Sequence, residues 1–248
     1  MPIKIENCSF SYRRNIPVLR DLSMSFKEGN TVLLGPNGAG KSTLMSLAAS
    51  ELEPDRGQIS LVDGPARASR RELREYRRRV SWLPQQVRPV GGLRVREQVA
   101  YAGWLKGMTR RAAWDASQPA LGSVALSDLA HRRSSELSGG QLRRLGIAQA
   151  LVHEAEVVLM DEPTAGLDPL QRAGFRELLE NLPGTVSTIV STHQTEDLAD
   201  TYDEVVVLEK GTVKFQGSVS DFLATASPDA APGRQAESAY ARFVKAEV

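Results

Sequence analysis

The sequence predicts an α/β fold built on a mostly parallel sheet that helices cover on both faces. Short apolar runs at 157–160, 186–191 and 205–208 are separated by a stretch of helical character at 171–182. Buried strands that alternate with helices are typical of parallel sheets. A further apolar run at 31–34 is followed at once by GPNGAGKST and another apolar stretch, which is the order strand, turn, helix.

The N-terminal part shows the alternation of β-strands. Apolar residues recur with period two in 3–12 and again in 22–26, as expected of strands with one buried face. Residues 58–62, closed by Asp-Gly, predict another strand and a turn. These strands precede and follow the glycine-rich segment.

An arginine-rich stretch lies at 67–79, with seven arginines and two glutamates. One interpretation is a solvated helix face that leads into a buried strand at 80–83. The other is a basic patch that faces anionic lipid or a partner loop. The glutamates dilute the positive charge and favour the first interpretation.

Two further regions complete the chain. Residues 93–155 have mainly helical periodicity, and Gly107 is placed to end the first helix. From 226 onward the composition is rich in Ala, Pro and Gly, which predicts a linker followed by a short helix.

Composition excludes several classes of protein. Lys plus Arg (31) nearly balances Asp plus Glu (30), so nucleic acid is not expected as a partner. The single cysteine, Cys8, suits a reducing compartment and is expected to be a small strand residue. No signal-like segment and no apolar stretch of about 20 residues is present. We therefore expect a cytoplasmic chain whose membrane role, if any, is exercised through another chain.

The glycine-rich segment matches the phosphate-binding pattern G-x-x-x-x-G-K-[ST]. Its glycines let backbone N–H groups surround phosphate oxygens, and the following helix adds its positive dipole end. We expect Lys41 to reach the β- and γ-phosphates and Ser42 to ligate Mg²⁺; the alternative is an ordinary glycine-rich turn. The predicted nucleotide-binding residues of this loop are Gly35, Pro36, Asn37, Gly38, Ala39, Gly40, Lys41, Ser42 and Thr43.

Two carboxylates, Asp161 and Glu162, follow an apolar strand. Ligands of open α/β sheets bind at the carboxyl ends of the strands. We expect Asp161 to hold Mg²⁺ and Glu162 to act as general base on the attacking water. By itself, an acidic strand end is weak evidence for such a site. Together with the phosphate-binding loop it becomes strong evidence.

The pentapeptide LSGGQ occupies 137–141. Ser138 and Gln141 form a capping-box pattern, which predicts a helix start. A helix N-terminus with a hydroxyl and bare glycine N–H groups is also an anion site. Because the chain already has one phosphate-binding loop, a second such site calls for a separate explanation.

GPNGAGKST, LSGGQ and VVLMDEP in this order resemble the ABC (ATP-binding cassette) ATPase family over essentially residues 1–225. The resemblance implies an Mg²⁺-dependent ATPase with a P-loop NTPase (RecA-like) parallel-sheet core. It also implies an N-terminal antiparallel β subdomain, which with the core spans about 1–86 and 156–225, and a helical subdomain at about 87–155. Residues 226–248 would be a linker and a short tail.

The same resemblance implies a head-to-tail dimer of two nucleotide-binding subunits. Ser138, Gly139 and Gly140, with Gln141 beside them, would close over the γ-phosphate held by Lys41 of the other copy. A homodimer is the expected form.

The resemblance also assigns single residues. Tyr12 in SFSY matches the aromatic position that stacks on adenine, although a strand aromatic in the core is the alternative. Gln85 in WLPQQ matches the Q-loop glutamine that contacts Mg²⁺ and water, with Gln86 as the neighbouring alternative. Asp168 in AGLD matches the D-loop acid that links the two sites of the dimer. His193 in VSTHQ matches the switch histidine that hydrogen-bonds the γ-phosphate.

The function implied is transport powered through a separate membrane-spanning chain, from the cytoplasmic face of the cell membrane. Residues 91–108 resemble exporters of the drug and peptide kind. Tyr101, Trp104 and Leu105 either line the groove for a membrane partner's helix or pack the helical subdomain. Gln149 stands where many transporter-type members have arginine. The alternative is a soluble ABC ATPase acting as a mechanochemical or assembly factor; a phosphotransferase would not explain LSGGQ.

Overall fold

The computed structural model describes residues 3–13, 16–64, 67, 69–182, 184, 186–195, 198–231 and 233–244. The chain divides into two compact units, one of Met1–Tyr76 with Ser187–Val248 and one of Arg77–Val186. Within the described residues, no helix combines the length and apolar character needed to cross a membrane.

The first unit contains an antiparallel sheet of three strands in the order β2-β1-β4. Ile3 pairs with Phe26 on one side and with Leu61 on the other, and all three side chains are buried. Cys8 lies buried in β1, as predicted. The strands are β1 (Ile3–Arg13), β2 (Ile16–Phe26) and β4 (Arg56–Leu61).

A second sheet of this unit has three parallel strands, in the order β7-β3-β8, and β9 antiparallel to β8. The predicted strand at 186–191 is observed one residue later, and β9 has no counterpart in the predictions. The strands are β3 (Asn30–Leu34), β7 (Ser187–Thr192), β8 (Glu204–Glu209) and β9 (Thr212–Ser218). The helices are α1 (Lys41–Ala48), α7 (Leu198–Thr201), α8 (Val219–Ala224) and α9 (Gln235–Phe243).

The short helix predicted after the linker in 226–248 is α9, and its packing was not predicted. Helix α9 packs into an apolar cluster with α8 and the strands β3 and β8, and its Ala239 is fully buried. Alanine and aromatic residues on one face of α9 allow this close packing, which the Ala/Pro/Gly-rich composition conceals. The cluster comprises Val32, Leu34, Leu198, Val205, Val207, Val219, Phe222 and Ala239.

The second unit combines two parallel strands with helices. Val80 pairs with Val157 and Leu83 with Met160. The positive φ of Gly107 (96°) lies just beyond the first helix of the predicted helical region. The elements are β5 (Val80–Leu83), α3 (Val95–Leu105), α4 (Arg110–Gly122), α5 (Gly139–Leu151), β6 (Val157–Asp161) and α6 (Pro169–Glu180), with short 3₁₀ turns at Ser127–Leu129 and Ser134–Glu136.

Helix α5 packs very closely on β5. A Cβ at Gly146 would lie 2.5 Å from a methyl carbon of Leu83 and 2.5 Å from one of Val87. No larger residue fits without a shift of this packing, so glycine fixes the distance between helix and strand.

The arginine-rich stretch forms helix α2 (Arg70–Arg79), which runs across the boundary between the units. Tyr76 is its one fully buried residue and donates a hydrogen bond to the Ala48 carbonyl at 2.5 Å. Arg79 forms an ion pair with Glu156 at 2.7 Å. The other arginines of the helix are exposed, which agrees with the solvated-face interpretation.

Candidate functional site

The phosphate-binding loop connects β3 to α1 in the first unit, as predicted. A Cβ at Gly35 would lie 2.4 Å from the Leu208 carbonyl oxygen, so the loop begins at a close approach that only glycine permits. Gly40 has a φ of 102° and immediately precedes α1. These two glycines shape the loop so that its N–H groups are able to face a phosphate.

Lys41 is 6% exposed and opens helix α1. Its ammonium donates hydrogen bonds to the carbonyl oxygens of Gly35 (2.6 Å) and Pro36 (3.2 Å). The lysine side chain therefore bends back over its own loop. A buried ammonium in a glycine-rich loop fits a polyphosphate, since the opposite charge compensates its desolvation.

Tyr12 stands beside this loop. Its hydroxyl is 3.3 Å from the Thr43 hydroxyl, and its ring meets Phe10 edge to face at 5.0 Å. The residue nevertheless remains 63% exposed. Tyr12 is therefore not a core aromatic, and its exposed ring is able to receive a stacking base.

His193 follows β7 at the same sheet edge as the loop. Leu34, the last residue of β3, pairs with Thr192, the last residue of β7. The Gln194 N–H donates to the Thr192 hydroxyl at 3.1 Å and so shapes the turn that carries His193. The first unit thus brings together Tyr12, the phosphate loop and the exposed His193.

In the second unit, Asp161 ends β6 and Glu162 follows it. Both are nearly enclosed, at 3% and 7% exposure. Glu162 has a φ of 47°, a left-handed conformation that costs a non-glycine residue about 1–3 kcal/mol. Such strain is common where a reactive side chain must be aimed, because the fold overrides the local preference.

The LSGGQ segment begins α5 with the predicted capping box. The Ser138 N–H donates to the Gln141 side chain at 2.9 Å, and the Gln141 N–H donates to the Ser138 hydroxyl at 3.3 Å. Ser138 and Gly139 are exposed, and a Cβ at Gly139 would meet nothing within 4 Å. A Cβ at Gly140 would lie 3.3 Å from the Gln171 side chain.

The remaining two predicted residues lie in loops of the second unit. Gln85 and its neighbour Gln86 are both exposed after β5, so the structure leaves the choice between them open. Asp168 caps α6 by accepting the Gln171 N–H at 2.9 Å. This capping is a structural role, and the role implied by the D-loop resemblance stays a prediction.

Arg143 is a buried cation that was not among the residues predicted from the sequence. This residue is 8% exposed and donates hydrogen bonds to main-chain carbonyls of Pro84, Gln85, Glu162 and Pro163. The sequence does contain a signal for this role, because Arg143 lies four residues before Ile147 and so on the same, buried face of α5. A cation on an apolar helix face must find partners inside the protein.

The model of the ABC transporter family matches residues 19–165. This chain belongs to the ABC transporter family. It is an ATPase of that family, with the P-loop NTPase fold. The motifs quoted from the sequence therefore identified the family correctly.

Two relatives of known name show to which transporter proteins this chain is similar. The chain is 34% identical to the energy-coupling factor transporter ATP-binding protein EcfA2 of Bacillus licheniformis, over 94% of this chain and 84% of that one. It is 35% identical to the cobalt import ATP-binding protein CbiO of Rhodobacter capsulatus, over 88% and 79%. Neither is named for drug or peptide export, so the comparisons do not support the exporter type predicted from residues 91–108.

Solved structures agree with this family. CbiO1 from Clostridium perfringens, part of the ABC transporter complex cbiONQ, has a TM-score of 0.76 and 28% identity over 90% of each chain. The ATP-binding cassette MJ0796, in a dimeric post-hydrolysis state with ADP and Pi, has a TM-score of 0.77 and 25% identity over 88% of this chain and 98% of that chain.

Proposed function

We propose that this ABC ATPase powers a transporter of the importer type through a separate membrane-spanning chain. The observation that carries the proposal is the similarity, over nearly the whole chain, to ATP-binding proteins named for energy coupling and cobalt import. A solved relative that forms part of a multi-subunit transporter complex supports the separate partner.

An aromatic patch on α3 suits the docking of that partner. Tyr101 and Trp104 stack on each other with ring centroids 5.8 Å apart, and they remain 41% and 45% exposed. Leu105 beside them is 62% exposed. Because their outer faces are not used in packing the unit, they are available to an apolar helix from the membrane chain.

In the proposed ATPase reaction, the loop of residues 35–43 and Tyr12 bind the nucleotide. Lys41 neutralises phosphate charge, and Ser42, Asp161 and Gln85 offer the oxygen ligands that Mg²⁺ prefers. When bound, Mg²⁺ neutralises charge on the transferring phosphoryl group.

Glu162 then accepts a proton from the attacking water, and His193 donates a hydrogen bond to the γ-phosphate. Residues 138–141 of a second copy close over the γ-phosphate held by Lys41 of the first. Asp168 lies in the loop that would communicate between the two sites. Product release would then separate the two copies and change the side of the membrane to which the membrane chain is open.

The proposal is tested by purifying the tagged chain from detergent-solubilised membranes of its own cells. We expect a multi-span membrane protein to be recovered with it. Tyr101→Ala with Trp104→Ala should remove that protein, whereas Trp114→Ala, an equally exposed tryptophan on α4 (41%), should retain it. Lys41→Ala should keep the partner and lose ATP turnover, because the cation that binds the phosphates is gone.

Two results would contradict the proposal in different ways. Recovery without any membrane protein would favour a soluble ABC ATPase without transport. Unchanged recovery of the membrane protein with the Tyr101/Trp104 variant would show that the partner docks on another surface of this chain.

The direction of transport is tested in vesicles that carry the recovered pair. ATP-dependent accumulation of cargo on the side of this chain supports import, and accumulation on the opposite side supports export.

A further inference from the structure

Arg143 lies six residues after the start of the LSGGQ segment, in the first turns of α5. Its Nε donates to the Pro163 carbonyl at 2.9 Å, and its Nη1 donates to the carbonyls of Pro84 (3.0 Å) and Gln85 (2.5 Å). Its Nη2 donates to the Glu162 carbonyl. One guanidinium thus bridges the main chain of two separate motifs.

The charge of Arg143 is embedded among groups of the catalytic strand end. Burial lowers the pKa of its guanidinium below the ordinary value, while the negative charges of Asp161 and Glu162 act in the opposite direction. The planar fork of five donors holds several acceptors in fixed directions, which the single ammonium of a lysine does not do.

The carbonyl that Arg143 holds belongs to a strained residue. Glu162 has a φ of 47°, and its carbonyl also accepts the Ala165 N–H at 3.1 Å. A left-handed non-glycine residue keeps its conformation only where neighbouring contacts determine it. Arg143 supplies such a contact from another element.

The loop that follows Gln85 is fixed by α3 in a similar way. Gln98 is 1% exposed, accepts the Val90 N–H at 2.9 Å and donates to the Arg88 carbonyl at 3.2 Å. Its amide nitrogen also lies 3.3 Å from the Gln149 side-chain oxygen. Side chains of α3 and α5 therefore hold this loop at both of its ends.

We propose that Arg143 is a positioning residue for ATP hydrolysis. It ties the helix that carries the LSGGQ segment to the main chain of Gln85 and of Glu162, so that these two side chains are aimed together. The inference rests on the roles given to Gln85 and Glu162 in the proposed function. A displacement of the Gln85 loop is transmitted through Arg143 to both α5 and Glu162.

The test compares steady-state ATP hydrolysis by Arg143→Met, Arg143→Lys and the wild-type chain. Arg143→Met should lower kcat at least about tenfold, or ~1.4 kcal/mol of barrier. Its KM for ATP should stay within about twofold, because the nucleotide-binding loop is unchanged. The kcat of Arg143→Lys should lie between those of Arg143→Met and the wild-type chain, since lysine keeps the positive charge but lacks the planar set of donors. Arg144→Met, an exposed arginine on the same helix, is the matched control and should keep wild-type kcat.

A double-variant cycle separates positioning from general stability. If Arg143 acts through Glu162 and Gln85, adding Arg143→Met to the Glu162→Gln/Gln85→Ala chain should lower the residual single-turnover rate by less than about twofold. A further tenfold loss in that background, or a wild-type kcat in Arg143→Met, would overturn the inference. Should Arg143→Met not fold, Arg143→Lys decides the same two comparisons.

The same cycle keeps the two proposals apart. Wild-type turnover in Glu162→Gln alone would contradict the role given to that carboxylate in the proposed function. Turnover lost in Glu162→Gln but unchanged in the Arg143 variants would contradict the positioning role only.

Discussion

At the scale of single residues, His153 is a half-buried titratable group whose ring nitrogens are shielded from solvent. Both ring nitrogens are enclosed, and neither has a hydrogen-bond partner in the part of the chain that the structure describes. Burial and, to a smaller extent, the positive charge of Lys106 together lower the pKa of His153 to about 4. The imidazole is therefore neutral in the folded protein at pH 7.

This histidine predicts a loss of stability on mild acidification. The unfolded chain takes up a proton near the ordinary histidine pKa of about 6.5, and the folded protein does so only near pH 4. The free energy of unfolding should therefore fall as pH decreases from about 6.5 towards 4, by up to ~1.4 kcal/mol per unit. In urea unfolding, wild type should lose about 1 kcal/mol more than His153→Leu between about pH 7 and pH 5.5.

The control for this pH dependence is His131→Leu, since His131 is exposed. It should follow the wild-type curve. Equal pH dependence in wild type and His153→Leu would show that His153 takes up its proton as readily in the folded protein as in the unfolded chain.

At the scale of elements, α9 is fixed by an aromatic cluster. Phe243 lies 5.2 Å from Phe215 and 6.1 Å from Phe222, ring centroid to centroid, and Phe222 is fully buried. Arg242 adds a hydrogen bond to the Thr225 carbonyl at 2.5 Å. The C-terminal helix therefore contributes to the core that also contains the strand before the phosphate loop.

Phe243→Ala should lower the free energy of unfolding by about 2 kcal/mol, because it removes aromatic contacts and leaves a partly solvated gap. Chemical denaturation measures this loss. Glu237→Ala, on the exposed side of the same helix, should change stability by less than about 0.5 kcal/mol. A Phe243→Ala variant as stable as wild type would mean that α9 is not anchored by its aromatic face.

Features encoded by short-range patterns were predicted well from the sequence. The strand, glycine loop and helix at 31–48 and the capping box at Ser138 depend on neighbours within a few residues, and both are observed. Arg143 was not anticipated, and the short helix predicted after the linker was anticipated without its packing, because the partners of both are distant in sequence. Arg143 donates to the carbonyls of residues that lie 58 and 59 positions before it. The composition of 226–248 does not show that one face of α9 is apolar, nor that this face packs on strands distant in sequence.

At the scale of the whole molecule, the exposed tip of α5 indicates a partner. Ser138 and Gly139 are exposed at a helix N-terminus, beside open space at Gly139. A related cassette has been solved as a dimer in a post-hydrolysis state. Both observations favour the assembly in which the LSGGQ segment of one copy covers the nucleotide of the other.

Glu162→Gln tests that assembly. The amide cannot accept a proton from water, so hydrolysis should slow by about 100-fold or more, while ATP binding is kept. The bound triphosphate should then hold two copies together, and size exclusion should show an ATP-dependent dimer that ADP does not support. Adding Lys41→Ala should abolish that dimer, because the triphosphate is no longer held by the loop. A Glu162→Gln chain that binds ATP but stays monomeric, even when purified together with its membrane partner, would exclude the shared site.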